Sequence, residues 1–123
     1  MQTEYSFREV VNKRGYNVRI VFDIDRFNSE ERKLDNYHYI YSADDRWRLT
    51  CEFAVKLFFE SIGSILIEER MIIKISFIDW DPFHTVDTVV LYSVIKGLSE
   101  AFNLNSDKFE FNREDSKICL PLI

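Results

Sequence analysis

Hydrophobic positions along this chain follow two rhythms, and each change of rhythm marks a new element. Residues 17–24, NVRIVFDI, have a period of two: Val18, Ile20, Phe22 and Ile24 share one face, and Arg19, Val21 and Asp23 share the other. That is the pattern of a half-buried strand. YHYIY repeats it, with Tyr37, Tyr39 and Tyr41 on one side and His38 and Ile40 opposite. MIIKISFID predicts a third strand, with Met71, Ile73, Ile75 and Phe77 on one face and Ile72, Lys74, Ser76 and Ile78 on the other. Both of its faces carry apolar area, so it is expected to be central.

The period then lengthens to that of helices. Ser42-Ala-Asp-Asp45 supplies a hydroxyl and acids for a helix start. In the DDRWRLTCEFAVKLFFESI run that follows, Trp47, Cys51, Ala54, Phe58 and Ile62 recur at spacings of three and four, widened by Val55 and Phe59. Arg48, Glu52, Lys56 and Glu60 lie four apart on the opposite face with alternating sign, a solvated ladder. Gly63 is the expected stop, with ILIEE able to extend the helix. A second helix is predicted from Pro82 to Phe102, with Val86, Val90, Val94, Leu98 and Ala101 as its stripe, widened by Leu91, Ile95 and Phe102.

The two ends are less regular. Ser6 with Glu9 fits a capping box and Gly15 a C-terminal stop, which predicts a short helix over 6–15, with an edge strand as the alternative. Residues 25–36 are polar and without period, so the strands at 17–24 and 37–41 are expected to pair as a hairpin with a long loop. KFEFNREDSKICLPL reads as a C-terminal hairpin, with Phe109 and Phe111 on one arm and Ile118, Leu120 and Leu122 on the other. The expected order is (α)ββαβαββ: one α+β domain over residues 1–123. It is a two-layer sandwich, with a mostly antiparallel sheet of about five strands and two amphipathic helices on one face.

Composition sharpens this picture. Eleven Phe, six Tyr and two Trp in 123 residues stock a core well, and only three Gly and two Pro argue against disorder. The formal net charge is −5. Residues 1–40 balance seven Lys/Arg against seven Asp/Glu, so the acidic excess lies wholly in residues 41–123. No basic cluster is present of the kind that holds nucleic acid, and no apolar run approaches a membrane span. Nor does MQTEYSFREVVNKRG have the apolar core of a signal peptide. Cys51 and Cys119, one on an apolar helix face and one in a strand, read as buried thiols in a reducing compartment, so a cytoplasmic location is expected.

Candidate chemistry concentrates in ISFIDWDPFHTVD, Ile75 to Asp87. Asp81-Pro82 has the form of an N-cap followed by proline at the first helical position, so the stretch is explained by the end of a strand and the start of a helix. The competing reading is a divalent-metal enzyme site. Asp79, Asp81 and His84 would join the second Asp-x-Asp, Asp23 and Asp25, if strand order brought the pairs together. VFDID also resembles the nucleophile strand of the haloacid-dehalogenase phosphatases. Arg26-Phe27 stands where that family has a Gly-Thr turn, however, and the alternating βα units of that fold are missing. No G-x-S-x-G, P-loop or G-x-G-x-x-G occurs. His38 is expected on the surface. The three aligned tyrosines are either core with their hydroxyls outward or, if that face is wet, a binding patch.

The expectation is therefore a small, acidic, non-catalytic protein-binding protein without a cofactor. Immunity proteins that neutralise bacterial toxins and phage-encoded inhibitors share that profile. Its partner would be basic, steered by Glu68, Glu69, Asp79, Asp81 and Asp87 and anchored by Trp80. The alternatives are the metal enzyme and a homodimeric scaffold that pairs through a sheet edge or the tyrosine face.

Overall fold

The N-terminal segments form one long hairpin. In the computed structural model, which describes residues 1–11, 13–27, 37–61, 70–105, 110–112 and 117–119, β1 (Gln2–Val11) runs antiparallel to β2 (Arg14–Phe27). Val11 opposes Arg14, and Lys13 takes the positive φ of 69° that tight hairpin turns demand. No helix forms over 6–15. Ser6 and Glu9 lie on opposite faces of β1, and Gly15 opposes Val10 instead of ending a helix. The helical capping pattern is local, whereas pairing buries Phe7, Tyr16 and Val18 together, and that long-range gain decides the outcome.

β3 (Tyr37–Tyr41) does not pair with β2. It lies parallel to β4 (Arg70–Asp79), which also pairs antiparallel with β2, so the order across the sheet is β1-β2-β4-β3. Among the described residues the sheet is mixed and four-stranded, not the mostly antiparallel sheet of about five strands expected. β5 (Glu110–Asn112) and β6 (Lys117–Cys119) form a separate two-stranded sheet. β4 occupies an interior position, as its doubly apolar faces require. Its register shifts opposite Val21/Phe22, where Ser76 is the extra residue. Beyond this bulge the faces exchange. Phe77, which the alternation groups with Met71, Ile73 and Ile75, is 49% exposed on the open side opposite Val21, and Ile78, which it groups with Ile72 and Lys74, is 5% exposed opposite Ile20.

Both helices cover the other face. A one-turn 3-10 helix over Asp45–Trp47 leads into α1 (Arg48–Glu60), which buries Cys51, Ala54, Val55 and Phe58 as its stripe requires. Phe59 stacks on Tyr37 at 4.0 Å, which lays α1 over β3. The tyrosines of β3 thus face the helix layer, while His38 and Ile40 face outward. In the polar ladder Glu52 and Lys56 pair at 3.3 Å, but Arg48 pairs with Asp45 instead. α2 (Asp87–Ala101) packs on α1, β1 and β2, with Val90, Val94 and Leu98 fully buried. Asn103, at φ 56°, closes it, and Leu104 N–H donates to the Ser99 carbonyl. Among the described residues no helix is long and apolar enough to cross a membrane. Ile62, Gly63, Leu120, Leu122, most of the 25–36 loop and the turn at 113–116 lie outside the described residues.

Candidate protein-binding site

At Asp81-Pro82 the chain closes a single helical turn that does not continue: the Asp81 carbonyl accepts from His84 N–H at 3.1 Å and from Thr85 N–H at 2.9 Å. Asp81 Oδ1 accepts from Phe83 N–H at 2.7 Å, a bond that curls aspartate turns. Thr85 is 3% exposed; its hydroxyl accepts from Asp81 N–H at 2.9 Å and donates to the Asn17 carbonyl at 2.7 Å. Asn17 N–H donates to the His84 carbonyl at 2.9 Å. These bonds pin the turn to β2, and the helix does not run on from it. α2 begins five residues later, after Val86, which offers no side-chain cap. The Phe83 N–H bond, aided by His84 Nδ1 at 3.3 Å from Asp81 Oδ1, holds the Asp81 carboxyl below the usual carboxylate range. Asp81 therefore stays ionised.

This turn meets the start of α1. Ser42 N–H donates to the Ile75 carbonyl at 3.0 Å, which docks the end of β3 against β4. Asp44 then caps the 3-10 turn: one carboxylate oxygen accepts from Arg46 N–H at 2.9 Å and the other from the Trp80 indole N–H at 3.3 Å. The Asp44 carbonyl accepts from the Tyr41 hydroxyl. Trp80 stands edge-on to the buried Trp47 at 5.4 Å, and the Arg46 guanidinium lies over both indoles, at 5.0 and 5.4 Å. Thr50 donates to Asp87 at 3.4 Å, bringing the first turn of α2 to the same corner. Phe83, in the turn after Asp81, is 79% exposed, and Leu49, in the first turn of α1, is 77% exposed.

Of the residues expected to bind a partner, Trp80, Asp81 and Asp87 are gathered at this corner. Asp79 lies beside it on the open sheet face, 4.0 Å from Arg19. Glu68 and Glu69 lie outside the described residues. Asp44, Asp45, Arg46, Leu49 and Phe83 also belong to the corner, and the sequence does not mark them as binding residues. Asp44 and Asp45 carry a signal as helix-start acids, but nothing in the sequence shows that their turn abuts Trp80.

The second Asp-x-Asp is elsewhere. Asp23 opposes Lys74 and Asp25 opposes Ile72, whereas Asp79 opposes Arg19 at the far end of the same pairing. Asp79 lies five residues beyond Lys74, about 16 Å away at roughly 3.3 Å per residue. Asp23 and Asp25 instead flank the Met1 ammonium at 3.5 and 3.4 Å. The two pairs therefore do not converge, and among the described residues no three His, Cys, Asp or Glu side chains are grouped to hold an ion.

The sequence matches no known protein family and no curated protein. In shape, the chain is similar to part of a Thermus thermophilus protein known by crystal structure, with a TM-score of 0.59 and 5% identity. The match covers 80% of this chain and 15% of that one, so this chain spans a small part of that protein's length. At such identity the likeness concerns the fold alone.

Proposed function

We propose that this chain is a non-catalytic protein-binding protein that engages a basic protein partner through the Trp80 corner, as toxin-neutralising immunity proteins and inhibitors do, in the cytoplasm. The observation that carries the reading is the state of Trp80. Its indole is half-exposed, yet it is held by Asp44, Trp47 and Arg46. A rigid aromatic loses little freedom on binding, and such residues concentrate binding energy. Around it the stretches 44–48 and 79–87 carry five carboxylates against two guanidiniums. Acids at the rim of an apolar centre (here Leu49, Trp80 and Phe83) steer a cationic surface and speed its encounter. The free, buried Cys51 suits a reducing compartment.

Affinity capture on the immobilised full chain from extract of the native host tests this. A basic protein should be retained at low salt, released as salt rises and lost from Trp80→Ala, which is expected to weaken binding at least about thirtyfold, the scale of an interface hot spot. Recovery of no partner, or one that binds Trp80→Ala equally well, would overturn the assignment.

A further inference from the structure

We propose that a second copy of this chain pairs antiparallel with the outer edge of β1, joining two sheets about a twofold axis at Ser6. This surface is separate from the Trp80 corner, and the inference does not rest on the function proposed for that corner.

The backbone sets the first condition. Met1 N donates to the Ile24 carbonyl at 2.9 Å and Ile24 N–H donates to the Met1 carbonyl at 2.9 Å, so this is a hydrogen-bonded pair. Such pairs alternate along an antiparallel ladder. Thr3, Tyr5, Phe7 and Glu9 therefore spend their backbone groups on β2, and those of Gln2, Glu4, Ser6, Arg8 and Val10 point away from the sheet. Among the described residues no strand pairs with that edge. It is ten residues long, and an open edge of that length is a template for another strand.

Side chains then select the occupant and its register. Gln2, Glu4, Ser6, Arg8 and Val10 are all exposed. Only registers that place outward-facing residues opposite one another satisfy both backbones. Among these, centring the axis on Glu4 or Arg8 sets like charges face to face, which is destabilising, and centring it on Tyr5 (Glu4 opposite Ser6, Arg8 opposite Gln2) or on Phe7 (Glu4 opposite Val10, Arg8 opposite Ser6) leaves each charge without an opposite one across the seam. Centring it on Ser6 sets Glu4 opposite Arg8 of the second copy, and Arg8 opposite its Glu4. The strand is thus complementary to itself in charge, as a twofold interface requires. Ser6, small and exposed, meets its own copy on the axis, and Val10 opposes Gln2. On the helix side Tyr5 falls opposite Phe7 of the second copy, a favourable aromatic cross-strand pair. β3, the other edge strand, is only five residues long.

Sedimentation equilibrium of the full chain across the micromolar range tests the proposal. The expected result is a reversible monomer–dimer equilibrium. Arg8→Glu turns both cross-strand pairs repulsive and should weaken the dimer by about tenfold or more. In an Arg19→Gln background, which removes the cation that Glu4 holds at 3.0 Å within its own copy, adding Glu4→Arg to Arg8→Glu restores opposite charges across the seam and should restore the dimer. Ser6→Pro removes an N–H that β2 does not use, at an edge position where proline is tolerated, so it should give a folded monomer. A monomer throughout the range, a dimer indifferent to Arg8→Glu, a double reversal without rescue, or a folded Ser6→Pro dimer would each overturn the proposal. Should Ser6→Pro unfold, the charge-reversal series decides alone. Trp80→Ala should leave the dimer intact, which separates this test from that of the corner.

Discussion

Gly97 is where α2 comes closest to the sheet. A Cβ there would stand 2.6 Å from Phe22 Cε2 and 2.9 Å from Tyr5 Cβ. The Phe22 ring is fully buried, and Tyr5 Cβ is fixed to a paired strand, so neither can yield cheaply. Gly97→Ala should therefore destabilise by about 1–3 kcal/mol despite alanine's better helix propensity, as a shift in the urea midpoint will show. Cys51 yields a second prediction. Burial pushes its thiol up to about 12 from an ordinary 9.0, and burial likewise raises the phenols of Tyr5, Tyr39 and Tyr41 above their ordinary 10.0. The fold favours the neutral forms, so this stabilisation is complete below pH 9 and drains as pH rises toward 12. Unfolding midpoints should be flat from neutral pH to about 9 and then fall, and Cys51→Ala should remove the earliest part of that fall. At this scale the period-two pattern of β2 correctly assigns Val18, Ile20, Phe22 and Ile24 to the core. It fails at Phe77 and Ile78 because a bulge arises from pairing, and parity counted along one strand carries no information about it.

Each element's type is legible where an apolar face repeats over many residues, as in α1, α2, β2 and β4. The misread elements are those in which a local signal competes with a distant partner. Ser6 and Glu9 offer a helix, and β2 claims the segment as a strand. Asp81-Pro82 offers a helix start, and Thr85 spends its hydroxyl on Asn17. The tyrosines of β3 fall on one face as expected, but the parallel partner across α1 cannot be deduced, because alternation is the same in either direction. Asp44 shows the same coupling in a form that can be tested. It caps the entry to α1 and also accepts the Trp80 indole N–H. Asp44→Ala should cost about 1 kcal/mol from the lost cap. It should also free the indole, so that Trp80 becomes more accessible to acrylamide quenching, which a change at a simple cap would not produce.

For the whole molecule, the register of β2 against β4 sets whether its two Asp-x-Asp pairs can share an ion. Paired Asp-x-Asp motifs make a metal centre only if they converge, since ligand oxygens sit about 2.0–2.6 Å from a Mg²⁺ or Ca²⁺ ion. Here the antiparallel pairing sends Asp23 and Asp25 to one end of the sheet, against the Met1 ammonium, and Asp79 and Asp81 to the other. Each also has local partners within the fold: Asp81 accepts from the Phe83 N–H, and Asp79 lies 4.0 Å from Arg19. An ion that bound only the folded state would raise the melting temperature with its concentration, by mass action. Millimolar Mg²⁺ or Mn²⁺ should therefore leave the thermal midpoint of the full chain unchanged. Asp23→Asn and Asp79→Asn should behave independently, as sites this far apart do. A midpoint that climbs with Mn²⁺, the climb being abolished by either substitution, would mean that the two ends of the sheet act together, against the register of β2 on β4.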